Sequence, residues 1–326
     1  MNHVIRIDQT GGPEVLHLVP VGADDTPLKA GEARIRHHAI GVNFIDIYHR
    51  TGLYPLPLPS GIGMEAAGIV EAVSADVAYL RVGDRVAYAG GQPGAYSQVR
   101  NIAASHLLKL PDSIDFTTAA AMMLQGLTTQ YLLRQTYRVA AGETILIHAA
   151  AGGVGLMVCQ WAKHLGATVI GTVSTPAKAA LAQAHGCDHT INYTTENFVE
   201  RVKAITGGEG VPVVYDSIGK DTFFGSLDCL RPLGMMVSFG NASGSVPPFE
   251  LLELAKRGSL FVTRPTLATY TAKRENLQAM ANELFDMVSS GALKIEISQS
   301  YLLKDAAQAH IDLAARNTTG SIVLIP

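Results

Sequence analysis

Residues 143 to 166, ETILIHAAAGGVGLMVCQWAKHLG, constrain the fold of this chain more than any other stretch, because a strand, a glycine-rich turn and a helix follow one another there without a spacer. Thr144, Ile145, Leu146 and Ile147 form a short apolar run rich in β-branched residues, the pattern of a strand buried on both faces of a parallel sheet. Val154, Met157, Val158, Trp161, Ala162 and Leu165 recur at helical spacing, and Gly166 supplies the stop. Between the two lies a turn of small residues. Set on the pattern GxGxxG, its three positions are Ala150, Gly152 and Gly155, so alanine replaces the first glycine. Such a turn bends sharply, brings the backbone up to a pyrophosphate with no Cβ in the way, and seats the helix close to the strand. The free N–H groups at the start of the helix then offer partial positive charge to a diphosphate.

A chain of 326 residues is long enough for about two domains, each with its own core. Up to about Ser113 it reads as short strands separated by Gly and Pro. Ala33 to Val42, Gly68 to Val73 and Asp84 to Tyr88 are expected strands, and the proline-rich Tyr54 to Gly63 is a loop. This half is expected to be a compact β-barrel-like domain. A helix capped by Asp115 or Thr117 follows, running through AAAMMLQGLTTQYLLRQ. After Gly166, strands at Thr168 to Val173, up to Asn192, Pro212 to Tyr215, Met235 to Phe239 and Ser259 to Val262 alternate with helices from Pro176, Phe198, Asp221 and around Leu277 to Val288, which argues for a doubly wound parallel sheet. The last stretch, from Leu293, carries a strand, a helix around Asp305 to Ala315 and the terminal strand SIVLI.

Composition excludes several classes. With 25 basic and 28 acidic side chains, no electrostatic footprint for nucleic acid or a membrane surface stands out. The three cysteines, Cys159, Cys187 and Cys229, are far apart and lack metal or disulfide spacing, which fits a reducing cytoplasm. No apolar run approaches the ~18 residues of a membrane span, and MNHVIRIDQ lacks a signal-peptide core.

The residue that ends the second strand of the nucleotide fold selects the cofactor. A preference for NAD places Asp or Glu there, roughly 20 residues past the glycines, to hold the ribose 2′-hydroxyl. Here the position is Ser174, with Lys178 four residues on and Tyr193 just after the third strand. An absent acid and a present base favour NADPH over NADH.

GGPEVL (Gly11 to Leu16), VNFIDIYHRTGLY (Val42 to Tyr54), GMEAAGIV (Gly63 to Val70), the run from His148 to Ala167, VVYDSIG (Val213 to Gly219) and FGNASG (Phe239 to Gly244) occur in that order. As a set they resemble the motifs of the medium-chain dehydrogenase/reductases, and within them the zinc-free NADPH quinone oxidoreductases of the ζ-crystallin type. Zinc-dependent relatives read GHE where this chain has Gly63, Met64 and Glu65, place a cysteine ligand near Asn43, and carry a four-cysteine lobe that is missing here. No metal is expected.

The resemblance implies a GroES-like catalytic domain of residues 1–123 and 294–326, with a Rossmann domain of residues 124–293 and the cofactor in the cleft. It implies cofactor contacts at Asn43, Tyr48, Thr128, the turn residues Ala151, Gly152, Gly153 and Val154, then Ser174, Lys178, Tyr193, Ser217, Gly240, Asn241, Ser243, Pro265 and Arg316. Catalytic roles fall to Asn43, Tyr48 and Tyr54, the two phenols able to donate to a developing oxyanion. The expected reaction is hydride transfer to a quinone, whose added charge spreads over ring and oxygens. Two other readings stand beside it: reduction of an activated carbon–carbon double bond with Tyr54 as proton donor, and a non-enzymatic, crystallin-like role binding NADPH or RNA, against which the balanced charge argues. The resemblance also implies a homodimer that joins sheets through the strand near Ser259 to Thr263.

Overall fold

The computed structural model describes residues 1–22 and 27–326, which fall into two compact units. One comprises Thr128–Tyr270 with Ser290–Lys294, and the other Met1–Leu127, Thr271–Ser289 and Ile295–Pro326.

The first of these is built on a parallel sheet whose strands run, edge to edge, His189–Asn192, Thr168–Val173, Thr144–Ile147, Val211–Asp216, Leu230–Ser238 and Phe261–Thr263. Counted from Thr144–Ile147 this is the order 3-2-1-4-5-6 of a doubly wound nucleotide fold. Leu146 is paired with Ile170 on one side and Val214 on the other, and every residue of Val211–Asp216 is buried, which explains why these segments are continuous apolar runs rather than alternating ones. Leu146, Ile170, Ile191, Val202, Val214, Phe223, Leu227 and Met236 form one core.

The helices start where capping chemistry starts them. The Thr175 hydroxyl accepts from the Lys178 N–H, with Pro176 at the first helical position of Pro176–Ala184; Asn197 accepts from Val199 and Glu200 at the head of Phe198–Ile205. The strand expected from Met235 begins earlier, at Leu230, and runs across Pro232 where a shift of register spares a ladder bond. Cys229 caps helix Phe223–Asp228 and is buried, as is Cys159 in Gly153–His164.

In the other unit a sheet runs Ile297–Leu302, Ser321–Ile325, Glu32–Val42, Glu65–Val73, Arg85–Ala89, Leu108–Lys109, with Val99–Ala103 also on Glu32–Val42; a smaller sheet joins His17–Val21, Asn2–Ile7 and Ser60–Gly61. The long strand Glu32–Val42 alternates buried and half-buried residues until both of its faces are covered near Ile40. The C-terminal strand lies antiparallel to it, Val323 opposite Gly41. Ile7, Ile35, Ile40, Ile62, Tyr88, Tyr96 and Leu324 belong to its core. The strands Asn2–Ile7, His17–Val21 and Val99–Ala103 were not apparent from periodicity, being five or six residues long without clean alternation of apolar and polar side chains.

Candidate active site

The glycine turn is tightly packed where packing demands glycine and open where a ligand needs backbone. A Cβ on Gly155 would collide with the Ala149 carbonyl oxygen and the Ala150 backbone. Gly152, Gly153 and Val154 stay half-exposed, and the first turn of helix Gly153–His164 contains no acid to compensate its N–H groups. The Gly152 N–H donates to the Ala149 carbonyl at 2.9 Å, closing the bend, and Ala149 itself takes a left-handed conformation, φ 55°. Alanine is tolerated at the first fingerprint position because Gly171 on the neighbouring strand gives it room: a Cβ there would stand 2.5 Å from the Ala150 Cβ and 2.7 Å from the Cys187 sulfur. These features fit a diphosphate-bearing cofactor held on backbone N–H groups.

At the end of the second strand Ser174 is half-buried, and the Tyr193 N–H donates to the Val173 carbonyl at 3.1 Å, which sets Tyr193 beside it; Tyr193 is exposed. Lys178 follows in the first turn of Pro176–Ala184. The fourth and fifth strands close on each other through their loops. A Cβ on Gly240 would lie 2.6 Å from the Ser217 carbonyl oxygen, the Ala242 N–H donates to that same oxygen at 3.1 Å, and the Ser243 hydroxyl donates to the Ile218 carbonyl at 2.9 Å, with Asn241 between. Pro265 is buried two residues past Phe261–Thr263, and Thr128 is buried near the end of helix Phe116–Tyr131.

In the other unit Asn43 is the N-cap of helix Phe44–Thr51, and its N–H donates to Asp46 Oδ2 at 2.8 Å in a capping box. Its side-chain oxygen accepts from Gln125 at 3.2 Å while its amide nitrogen is buried without a hydrogen-bond partner. That helix also carries Tyr48, whose ring meets Tyr54 edge to face at 5.1 Å, and the Tyr54 N–H donates to the Tyr48 carbonyl at 3.1 Å. Asn43, Tyr48 and Tyr54 are thus positioned by one helix and the loop leaving it. Arg316, just beyond helix Ala306–Ala314, is exposed with a left-handed backbone, φ 60°.

Beneath this helix lies a buried polar chain that the sequence reading did not single out. The Tyr96 hydroxyl donates to Asp46 Oδ2 at 3.0 Å and lies 3.0 Å from His310 Nε2, whose Nδ1 is 3.3 Å from the Arg50 guanidinium. Burial pushes the Asp46 carboxyl up to about 7 and holds His310 down at about 3. Glu65 is fully buried, accepts from the Leu124 N–H at 2.7 Å, and is raised well above the carboxylate range by burial. The capping spacing Asn43-x-x-Asp46 was the one signal that could have found Asp46. Among the described residues no three His, Cys, Asp or Glu side chains are grouped so as to hold a metal ion.

Two family models match the chain: the alcohol dehydrogenase GroES-like domain over residues 29–112 and the zinc-binding dehydrogenase model over residues 153–285. Together with the strand order and the turn, they define a medium-chain dehydrogenase/reductase. The chain is 58% identical to a quinone oxidoreductase of Pseudomonas aeruginosa over 99% of both chains, and 49% identical to a 2-haloacrylate reductase of a Burkholderia species over 98% of both. It superposes on the crystal structure of Escherichia coli quinone oxidoreductase complexed with NADPH at a TM-score of 0.97, with 52% identity over 99% of this chain and all of that one. The chain belongs to the quinone oxidoreductase family of this superfamily.

Proposed function

We propose that the protein is an NADPH-dependent quinone oxidoreductase. The observation that carries this reading is the similarity to quinone oxidoreductases along the chain, 58% and 52% identical over 99% of it. NADPH, when bound, supplies the hydride. The residues given above divide the work of holding it. The N–H groups of Ala151 to Val154 take the diphosphate; Ser174, Lys178, Tyr193 and Arg316 take the adenosine phosphate; Ser217, Gly240, Asn241, Ser243, Pro265 and Thr128 flank the remainder, and Asn43 and Tyr48 its nicotinamide end. Tyr48 and Tyr54 donate hydrogen bonds to the acceptor oxygen on which charge develops. Asn43 and Met64 are not ligands for zinc, so the polarising role falls to these phenols.

A second reading, reduction of an activated carbon–carbon double bond, is favoured by the 49% identity to the haloacrylate reductase. Quinone and 2-haloacrylate rates, measured for the native enzyme and for Tyr54→Phe, separate the two. The first reading expects quinones to be the better acceptors and to lose less than about tenfold in the variant; haloacrylate turnover that exceeds quinone turnover and collapses without the hydroxyl would replace it.

The domain boundaries at residues 123 and 293, a cytoplasmic setting and a homodimer belong to the same proposal. For the dimer the supporting feature is the edge strand Phe261–Thr263, with Phe261 exposed on it and Leu233 exposed on the strand it pairs with. No helix among the described residues is long and apolar enough to cross a membrane. Phe261→Glu is expected to yield a monomer in light scattering; an unchanged mass would place the contact elsewhere.

A further inference from the structure

The ends of three adjacent strands of the parallel sheet are tied together by a line of buried side chains that no role above uses. Asp216 ends the fourth strand, and both its carboxylate oxygens accept: Oδ1 from the N–H groups of Ile218 at 2.7 Å and Gly219 at 3.0 Å, Oδ2 from the hydroxyls of Thr222 at 2.7 Å and Ser226 at 2.9 Å. The hydrogen of Ser226 is therefore spent on Asp216, and its oxygen can only accept from the His148 Nε2 that lies 2.9 Å away. With Nε2 carrying the proton, neutral His148 accepts at Nδ1, and the hydroxyl at 3.0 Å is that of Thr172, one residue from the end of the second strand. Asp216, Ser226, His148 and Thr172 are all buried. The direction of every bond in the line follows from the carboxylate.

This line ends at the turn. His148 is the residue before Ala149, whose left-handed backbone is strained for a non-glycine residue and persists only where its surroundings hold it. The Thr172 oxygen also faces the Ala149 N–H at 3.4 Å, the Thr172 carbonyl accepts from Ala150 at 3.0 Å, and the His148 N–H donates to the Tyr215 carbonyl at 3.0 Å. Backbone and side chain thus fix the entry to the turn from both neighbouring strands.

We infer that His148 is a positioning residue: held as a single Nε2–H tautomer between Thr172 and Ser226, it sets the conformation of Ala149 and so aims the N–H groups of Gly152 to Val154 at the cofactor diphosphate. The inference rests on the reading of that turn as the NADPH site. Burial lowers the imidazole below its ordinary range, in keeping with a ring that stays neutral.

The test uses three near-isosteric variants of the full chain. Ser226→Ala removes the acceptor from His148 Nε2, Thr172→Val removes the donor to Nδ1, and Thr222→Val removes an equal bond to the same carboxylate but off the line to the turn. Nitrogen-15 spectra of labelled histidine report the His148 tautomer, and quenching of protein fluorescence reports NADPH binding. The native protein is expected to show one Nε2–H tautomer; Ser226→Ala and Thr172→Val are expected to lose about tenfold in NADPH affinity, and Thr222→Val to stay within about twofold at a comparable loss of melting temperature. A native Nδ1–H or mixed tautomer overturns the inference, as does equal weakening in all three variants or none in the first two. Failure of the native protein to bind NADPH would overturn the cofactor reading, and the positioning role with it, while leaving the tautomer signal intact.

Discussion

Asp46 is the residue at which burial and chemistry pull hardest against each other. Its carboxyl is fully buried, one oxygen accepts from Asn43 and Tyr96 while the other is unpartnered, and it titrates near 7 instead of 3.8. In the native chain the proton is kept up to about pH 7, whereas the unfolded chain releases it near 3.8. Between those values the native state binds more protons, so this group's contribution to stability is complete below 3.8 and is lost as pH rises through 7. Asp46→Asn removes the term. Relative to the native protein, its unfolding free energy is expected to climb by about 1.4 kcal/mol per pH unit across that window and to run parallel outside it; denaturant titrations at several pH values check this, and parallel curves throughout would show an ionised Asp46. His37 and His310, each held at about 3, act in the opposite sense: the unfolded chain gains protons there below 6.5, so their share of stability is lost on acidification. A second residue-scale test concerns the altered fingerprint. Gly171→Ala meets the Ala150 methyl and the Cys187 sulfur, and is expected to cost about 1–3 kcal/mol, part of it recovered by adding Ala150→Gly; full additivity of the two changes would mean that the methyls do not touch.

At the scale of elements, the cofactor preference proposed above rests on the end of one strand and the start of the next helix. Ser174 and Lys178 are linked through one capping turn, in which the Thr175 hydroxyl fixes the Lys178 backbone. Lys178→Ala is expected to reduce the NADPH over NADH preference about tenfold, and Ser174→Asp to reverse it, since a carboxylate repels the 2′-phosphate and accepts from the free ribose; steady-state KM values for both cofactors read this directly. These positions were legible in the sequence because local spacing determines them: the glycines, the strand end and the capping residue lie within about 30 residues, as in any βαβ unit. The surroundings of helix Phe44–Thr51 were less so. Its Asn43-x-x-Asp46 box is local and Arg50 lies on the same helix, but Tyr96 and His310, which complete the chain around Asp46, come from a loop 50 positions further along the sequence and from helix Ala306–Ala314 near its end. No periodicity reports such a meeting. The same holds for Asp216, His148 and Thr172 at or beside strand ends and for Ser226 in helix Phe223–Asp228, which only the fold brings together.

For the whole molecule, the alternation of strands and helices was sufficient to give a doubly wound parallel sheet, though not its 3-2-1-4-5-6 order, while the sheets of the other unit were only partly visible. There the terminal strand Ser321–Ile325 pairs with Glu32–Val42 across nearly the full length of the chain, a contact set by folding rather than by neighbouring residues. The function proposed for this architecture stands or falls on one assay: initial-rate oxidation of NADPH and of NADH by the purified protein with a series of quinones as acceptors. Rapid NADPH oxidation with quinones is expected, with a preference of at least about tenfold over NADH in kcat/KM. Equal use of NADH, or no quinone-dependent oxidation of either cofactor, would contradict it.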